Sequence, residues 1–215
     1  NDTYVLNASR EWQNLEEYSY NAGTNQIDRA FYLGIVHEED QVGSRFDFLI
    51  DTEIGGLANS LSIGGEVNDI ELDYLNNFST GGFGVGDSVA IFGFNPGTTP
   101  KDTIPTILDY QTDTQQAAIF IDSVLQISDQ LSLVLGGRYD DIEFDRYDLA
   151  IGGSPASSFD ADFSEFTWRA GLVYQPTEQM SIYAQMSTAA DPITSPISIS
   201  SGNKDFDLAT GRQYE

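Results

Sequence analysis

Apolar and polar residues alternate along most of this chain with a period of two. The clearest stretches are residues 45–54, 59–67, 117–127, 130–139, 166–175 and 180–187. A period of two is that of an extended strand, whose successive side chains point to opposite faces of a sheet. The many Ile, Val, Thr, Tyr and Phe residues in these stretches also favour strands. The sequence therefore predicts an all-β chain of about eight strands.

The connections between these strands alternate in length. Short turns are predicted at residues 55–58, 128–130 and 176–179, and long connections at 21–28, 76–108, 149–162 and 190–208. In an antiparallel meander, this order places every short turn at one end of the sheet and every long loop at the other. Outer-membrane barrels have this layout, whereas a soluble sandwich has no reason to sort its loops by length.

The predicted strands are longer than a membrane requires. Residues 131–147 would extend over about 56 Å, while a tilted membrane strand needs only about 9–11 residues. We therefore expect the strands to continue beyond the bilayer on the long-loop side, as in a segment of a large up-and-down transmembrane barrel. Residues 29–54 are too long for one regular strand, so a bulge or break is predicted near Gly43.

Charged residues occupy one set of alternate positions in each strand, and apolar or aromatic residues occupy the other set; we call each set a parity of the strand. A soluble protein buries the apolar parity, whereas a membrane barrel turns it to lipid and the polar parity to its lumen. Tyr174, just before the Pro176 turn, is predicted at the membrane interface. Alternation alone fits both, so a soluble acidic β-sandwich remains an alternative. The predicted lumen-facing charges are Glu66, Asp122, Arg138, Asp140 and Arg169, with Arg45, Asp47, Asp51 and Glu53 on the same parity.

The composition excludes several classes of protein. Only 9 residues are Lys or Arg, against 34 Asp or Glu, which gives a formal net charge of −25. Such a chain lacks the clustered cations that bind nucleic acid. With no cysteine, it can form neither disulfides nor a thiolate metal site. No targeting signal is visible, the first residue is Asn1, and residues 211–215 resemble the middle of an element. We therefore expect an internal segment of a longer chain.

Two groups of residues could carry chemistry, and for both a structural role is favoured. An acidic group could bind Ca²⁺ through its carboxylate oxygens, but a solvated strand end is favoured, so no metal site is predicted. His37, the only histidine, has no second nitrogen ligand and no nucleophile nearby, and is predicted to be a surface residue. No catalytic residue is predicted. The acidic group comprises Asp140, Asp141, Glu143, Asp145 and Asp148.

The long connection at residues 76–108 is rich in glycine, threonine and aromatic residues. A loop of this length is often functional. Its aromatic side chains could cup a ligand or could pack the loop against its neighbours. The candidate ligand contacts are Phe78, Phe83, Phe92 and Phe94, together with Tyr147 on the long-loop side of a strand.

Residues 108–215 resemble the C-terminal barrel region of TonB-dependent outer-membrane receptors, especially siderophore receptors. The resemblance rests on Asp-Gln-Leu-Ser-Leu at 129–133, Gly-Arg-Tyr-Asp at 137–140, Phe-Thr-Trp-Arg-Ala-Gly-Leu-Val-Tyr-Gln-Pro at 166–176, Ser-Ile-Tyr-Ala at 181–184 and Gly-Arg-Gln-Tyr-Glu at 211–215. Residues 1–75 match more loosely, with Gly-Gly-Glu-Val at 64–67. The order and spacing of these pieces carry the resemblance, since each piece alone is weak.

The resemblance implies a function and a set of partners. Receptors of this family are barrels of about 22 strands around a plug. They import ferric siderophores, the transported ligand, through the bacterial outer membrane with energy from the TonB system. Residues 1–215 are then expected to be part of the barrel, without the plug or the C-terminal strands. The partners would be outer-membrane lipid, the siderophore and, through the plug, the TonB complex. The loop aromatics would contact ligand, and the lumen-facing charges would brace the plug.

Three other hypotheses remain. The chain could be a complete small barrel of eight strands for adhesion or anchoring, because eight strands can close around their own side chains. It could be a barrel enzyme, which would have to be built around His37. It could also be the soluble sandwich named above.

Overall fold

The computed structural model describes residues 1–84, 86–93, 104–191 and 199–215, and these form one antiparallel sheet. The elements are β1 (Asp2–Asn21), β2 (Gln26–Ile54), β3 (Leu57–Asn76), a 3-10 helix (Gly82–Gly84), β4 (Asp87–Ala90), β5 (Ile107–Ser128), β6 (Leu131–Asp148), β7 (Ser157–Thr177), β8 (Met180–Asp191) and β9 (Ala209–Tyr214). Eight strands follow one another in the sheet in the order β1-β2-β3-β5-β6-β7-β8-β9, and the short β4 pairs with β2. The sheet curls into a half-barrel, which confirms the predicted fold.

The short turns lie at one end of the sheet, as predicted. The prediction of a long first connection, at residues 21–28, is wrong. Instead of a loop over residues 21–28, a tight turn joins β1 and β2. Asn21 makes this turn possible, because its side-chain oxygen accepts hydrogen bonds from the backbone N–H groups of Gly23 and Thr24. The two strands therefore form a long hairpin that extends past the end of β3, where Ile35 pairs with Asn76.

The predicted break near Gly43 is also wrong. Strand β2 is continuous, and its pairing with β1 and with β3 keeps one register through Gly43. The glycine instead permits a side chain to cross it: the Tyr4 hydroxyl donates a hydrogen bond to Asn68, and these two residues are the cross-strand partners of Gly43. A Cβ at this position would meet both of their side chains.

One face of the sheet exposes apolar side chains, and the other face buries polar ones, which is the reverse of the pattern in a soluble protein. Directly paired residues of antiparallel strands share a face, so the register assigns each side chain. Ile119 is 68% exposed and Phe48 63% exposed on one face, whereas Thr114 is 2% exposed on the other. A soluble sandwich would bury the apolar side chains, so this alternative fails. We call the second face the arginine face, because it carries Arg45, Arg138, Arg146 and Arg169.

The exposed apolar side chains form a band across five strands. The band comprises residues 46–54 of β2, 57–65 of β3, 119–127 of β5, 131–139 of β6 and 166–174 of β7, which the register brings level with one another. Its length, about nine residues per strand, matches a tilted membrane strand. Phe46, Tyr139 and Phe166 lie at its upper edge, and Tyr174 lies exposed at its lower edge. No helix among the described residues is long and apolar enough to cross a membrane.

Candidate functional site

The five charges predicted to face the lumen all lie on the arginine face. Arg138 is hydrogen-bonded to two of the others: it donates to Glu66 at 3.1 Å and to Asp140 at 2.9 Å. These two carboxylates flank Ala118 of β5 in register, so the guanidinium bridges three strands. That this face lines a lumen stays a prediction, but its charges are balanced locally rather than scattered.

Arg169 and Asp122 form a second ion pair, at 2.8 Å, across Gly136. The three residues lie in one row of the register on β5, β6 and β7. The glycine leaves room for the arginine to reach two strands across, because an added Cβ would lie 2.9 Å from Arg169 Cγ. The pair is too exposed to contribute much stability by itself.

A concavity of about 450 Å³ lies over these ion pairs on the arginine face. Arg45, Arg138 and Arg169 line it, and the Arg45 guanidinium lies 4.7 Å from the centre of the Phe120 ring. Three of the nine cations of this acidic chain therefore border one cavity. Such a surface suits a polar partner that carries carboxylates.

A row of aromatic side chains lies higher on the arginine face, above the level of the apolar band. The rings of Tyr74 and Tyr110 are stacked, with centroids 4.5 Å apart and planes 6° from parallel. His37 lies on the side of Tyr74 away from Tyr110, and the ring centroids of His37 and Tyr74 are 5.1 Å apart. The Arg146 guanidinium lies 3.5 Å from the centre of the Tyr110 ring. We call these four residues the aromatic row.

Arg146 is held in place by contacts on both sides. Its side chain, 14% exposed, pairs with Asp148 at 2.7 Å and donates to the backbone oxygen of Ile199 at 2.9 Å. Ile199 is buried against Phe144 and Ala161, so the chain before β9 folds onto the arginine face. The cation is thus fixed where the long loops meet the sheet.

Burial and charge set the protonation of the aromatic row. Partial burial, aided by Arg10, lowers the pKa of His37, so its imidazole is neutral near pH 7. Burial raises the pKa of Tyr110 and of Tyr74, so both remain phenols that can donate hydrogen bonds. Arg146 is then the one cation of the row. The sequence analysis missed this row, because its members are spread over four strands whose register the sequence does not reveal.

The acidic group at residues 140–148 does not converge. Strand alternation sends Asp140 and Asp148 to the arginine face, where each pairs with an arginine, and sends the other three to the opposite face. The structure instead brings Asp69, Glu71 and Asp113 together, with carboxylate oxygens within 4.8 Å. Burial, with the nearby carboxylates Asp69 and Asp145, raises the pKa of Asp113. All six carboxylate oxygens of these three side chains would be needed to reach the lower end of the six to eight oxygens that Ca²⁺ takes.

The predicted ligand contacts that the structure describes differ in their exposure and in their place on the sheet. Phe78 is half-buried, and Phe92 is 89% exposed. The side chain of Phe83 and the whole of Phe94 lie outside the described residues. Tyr147 is 49% exposed on the face opposite the arginines, level with Gln111 and Ser158. These five residues therefore remain predictions as ligand contacts.

Two anchors attach the long connection after β3 to the neighbouring hairpin. Asn77 is fully buried, accepts a hydrogen bond from the Gly34 N–H at 2.9 Å, and donates to the Tyr32 backbone oxygen at 3.3 Å. Further along, β4 pairs with the start of β2, and the buried Arg29 donates from Nε to Asp87 at 2.6 Å. The connection thus continues the sheet where β3 has ended.

The second anchor should weaken in acid. The Arg29 guanidinium lowers the pKa of Asp87, and Ser88 and Asn21 lower that of Asp28. A lowered pKa means that the stabilisation is complete above the unfolded value of 3.8 and is lost as the pH falls through the lowered value. We expect the β4 amides to lose protection from hydrogen exchange progressively as the pH falls below about 4, after correction for intrinsic rates. Asp87→Asn should remove most of this pH dependence, and unchanged protection at pH 3 would contradict it.

Comparison with known proteins identifies the family. A family model described as "TonB dependent receptor-like, beta-barrel" matches residues 1–215. The ferric-pyoverdine 358 receptor of Pseudomonas putida is 30% identical over 120 residues, 54% of this chain and 14% of that protein. The probable TonB-dependent siderophore receptor PiuA of Acinetobacter baumannii is 27% identical over 85 residues, 40% of this chain and 11% of that protein.

Solved structures show the same fold at lower identity. The siderophore receptor PiuA from Acinetobacter baumannii matches with a TM-score of 0.68 and 17% identity, over 99% of this chain and 33% of that one. BauA, the ferric preacinetobactin receptor from the same species, matches with a TM-score of 0.73 and 15% identity, over 99% and 31%. The chain thus spans about a third of these structures. Members of the family are outer-membrane transporters and not enzymes. This chain belongs to the TonB-dependent receptor β-barrel family.

Proposed function

We propose that the chain is part of the barrel of an active importer of ferric siderophores, energised by the TonB system, whose plug and remaining strands lie outside residues 1–215. The apolar band then faces lipid, and the arginine face lines the lumen. Family membership supports import by this route, and the names of the relatives support siderophores as the cargo. The observation that carries the proposal on this chain is the aromatic row.

The aromatic row suits a ferric complex that bears aromatic rings. Tyr74, the less buried of the two stacked tyrosines, has its ring faces covered by His37 and Tyr110, and it presents a ring edge and a phenol hydroxyl that can donate to ligand oxygens. The Arg146 guanidinium, which is not strongly hydrated, lies over the Tyr110 ring and shares its charge with Asp148. The long-loop end of a receptor barrel is its extracellular end, so the row would lie on the entry path.

The arginine-lined concavity at mid-height has a separate proposed role. Arg45 has no carboxylate partner among the described residues, while Arg138 and Arg169 are paired within the sheet. We infer that this surface receives the plug, whose carboxylates would complete the pairing. This role concerns assembly of the receptor and not the recognition of cargo.

The test uses the whole receptor in cells limited for iron. Ferric pyoverdine and ferric preacinetobactin, the cargoes named for two relatives, are supplied as labelled iron complexes. Arg146→Gln and Tyr74→Leu should each weaken binding of the accepted complex by about tenfold, a loss of about 1.4 kcal/mol. Arg212→Gln removes an equal charge from β9, on the opposite face, and should leave binding unchanged.

Two outcomes separate recognition from folding. Each variant should keep the wild-type heat-dependent shift in gel mobility, which reports an intact barrel. If the barrel is intact and the receptor imports neither iron complex, nor any other ferric siderophore in a wider panel, the proposal fails. If import is normal in both variants, the aromatic row is not the recognition surface.

A further inference from the structure

The guanidinium of Arg146 is already engaged by contacts within the protein. Its Nε donates to one oxygen of Asp148 at 2.7 Å, and its Nη2 lies 2.7 Å from the same oxygen. On another edge, Nη1 donates to the backbone oxygen of Ile199 at 2.9 Å, and the central carbon lies 3.5 Å from the centre of the Tyr110 ring. A carboxylate, a carbonyl and a ring therefore hold the cation of the aromatic row before a ligand arrives.

Asp148 is itself fixed beside the row. Its second carboxylate oxygen accepts a hydrogen bond from the Ser157 hydroxyl at 3.3 Å. Ser157 is its register partner on β7 and Tyr110 its partner on β5, so the carboxylate lies level with one of the stacked tyrosines. The side chains of Asp148 and Arg146 are only 29% and 14% exposed. Because the two opposite charges are close together and partly shielded from water, they act on an approaching ligand as a nearly neutral pair.

A second carboxylate lies beside the stacked tyrosines. Asp109 precedes Tyr110 in β5 and accepts a hydrogen bond from the Asn76 side chain at 2.5 Å, so a neutral amide and not a cation holds it. Burial raises the pKa of Tyr110, Arg146 opposes this effect, and Asp109 and Asp148 add to it. Both carboxylates are therefore within electrostatic range of the ring.

The charges at the other end of the row cancel. Burial lowers the pKa of His37, Arg10 lowers it further, and Glu39 raises it, so one charge of each sign lies near this neutral imidazole. Among the described residues, two cations and three carboxylates thus act on the rings of the row, which leaves it with one net negative charge. An anionic ligand would gain nothing from such a surface.

We propose that Asp148 determines the charge specificity of the aromatic row, so that the row accepts ferric complexes with no net negative charge and rejects anionic ones. Asp148 does this by neutralising Arg146, which then serves the ligand through its packing on Tyr110 and not through its charge. Three hydroxamate or hydroxypyridinone groups give an acceptable complex, because each brings one negative charge to Fe³⁺. The inference rests on the proposed function in one respect, the recognition of ferric complexes at the aromatic row.

The test measures the binding of three matched ferric complexes to the whole purified receptor, by equilibrium dialysis with labelled iron. The complexes are tris-hydroxypyridinone chelates that share their aromatic rings and differ in one substituent, which is a methyl group, an ammonium group or a carboxylate. We expect the methyl and ammonium complexes to bind about tenfold more tightly than the carboxylate complex. In Asp148→Asn the carboxylate complex should gain affinity, so that this preference falls below about threefold.

Three further variants separate the charge of Asp148 from other effects. Asp148→Glu keeps the charge and should keep the preference. Asp145→Asn removes an equal charge from the same strand on the opposite face, and it should also keep the preference. Asp109→Asn removes the other carboxylate and should shift the preference in the same direction as Asp148→Asn. All variants are compared with the barrel intact, as shown by the heat-dependent shift in gel mobility.

Each contrary outcome overturns the inference. Equal binding of the three complexes by the wild-type receptor would do so, and so would failure of the methyl complex to bind. An equal change in Asp148→Asn and Asp145→Asn would assign the preference to overall charge. Iron import from ferric pyoverdine and ferric preacinetobactin is measured on the same variants. Import without the expected charge preference refutes this inference alone, whereas an intact receptor that imports no ferric complex refutes the proposed function.

Discussion

Asn77→Ala is expected to detach the long connection after β3 from the β1–β2 hairpin. The Asn77 side chain is fully buried. It accepts a hydrogen bond from the Gly34 N–H and donates one to the Tyr32 backbone oxygen, as a paired strand would. Alanine would leave a buried backbone N–H and a buried carbonyl without that partner, at a cost of about 2–4 kcal/mol. Hydrogen exchange of the Gly34 amide should accelerate by roughly 30- to 700-fold, since each 1.4 kcal/mol is a factor of ten.

The control for this substitution is Asn7→Ala. Asn7 is exposed on β1, and its side chain bonds to Asp40 at the surface, so its loss should change exchange little. Protease cleavage within residues 77–93 should rise only in Asn77→Ala. A Gly34 amide that exchanges at the wild-type rate in Asn77→Ala would show that the connection is held by other contacts.

The second large effect is expected from Gly136→Ala. The added methyl group would meet Asp122 Oδ1 and lie 2.9 Å from Arg169 Cγ and Nε, so the two side chains of the ion pair would have to move apart. Overpacking of this kind costs about 1–3 kcal/mol. The temperature at which the whole receptor loses its folded gel mobility should fall by several degrees, and Asp122→Ala in the same background should restore part of the loss.

The neighbouring glycine supplies the matched control. Gly137 lies on the opposite face, where the one close contact of an added Cβ would be the Phe166 ring, at 3.2 Å, with Ile121 Cγ2 at 4.0 Å. That ring is exposed and can move, so Gly137→Ala should be nearly neutral, helped by the lower backbone entropy of the unfolded chain. Equal destabilisation by both substitutions would mean that strand geometry, and not the Arg169–Asp122 crossing, sets the cost.

Strand parity could be read from the sequence, and register could not. Parity alone predicts that Arg138 and Arg169 share a face, because a period of two is unambiguous over many residues. The meeting of Tyr74, Tyr110 and Arg146 depends on how three strands align. That alignment is fixed by turns and by a register shift at Tyr74/Leu75, for which the sequence gives no signal.

The two incorrect predictions share a cause. The length of residues 29–54 predicts a break near Gly43, but pairing on both sides keeps this long strand in one register, and the glycine marks a close approach of another side chain. The connection predicted at residues 21–28 is one tight turn, because the flanking strands pair up to Asn21 and Gln26. In both places the outcome depends on pairing with neighbouring strands.

The β1–β2 hairpin gives the receptor a surface that can vary in evolution at little structural cost. Residues 26–45 of β2 extend roughly 65 Å along the strand beyond the apolar band. The hairpin is held by backbone hydrogen bonds between paired residues, and much of its β1 surface is exposed. The exposed side chains of β1 in this hairpin can be exchanged without touching the anchors that Gly34 and Arg29 of β2 form with the long connection after β3.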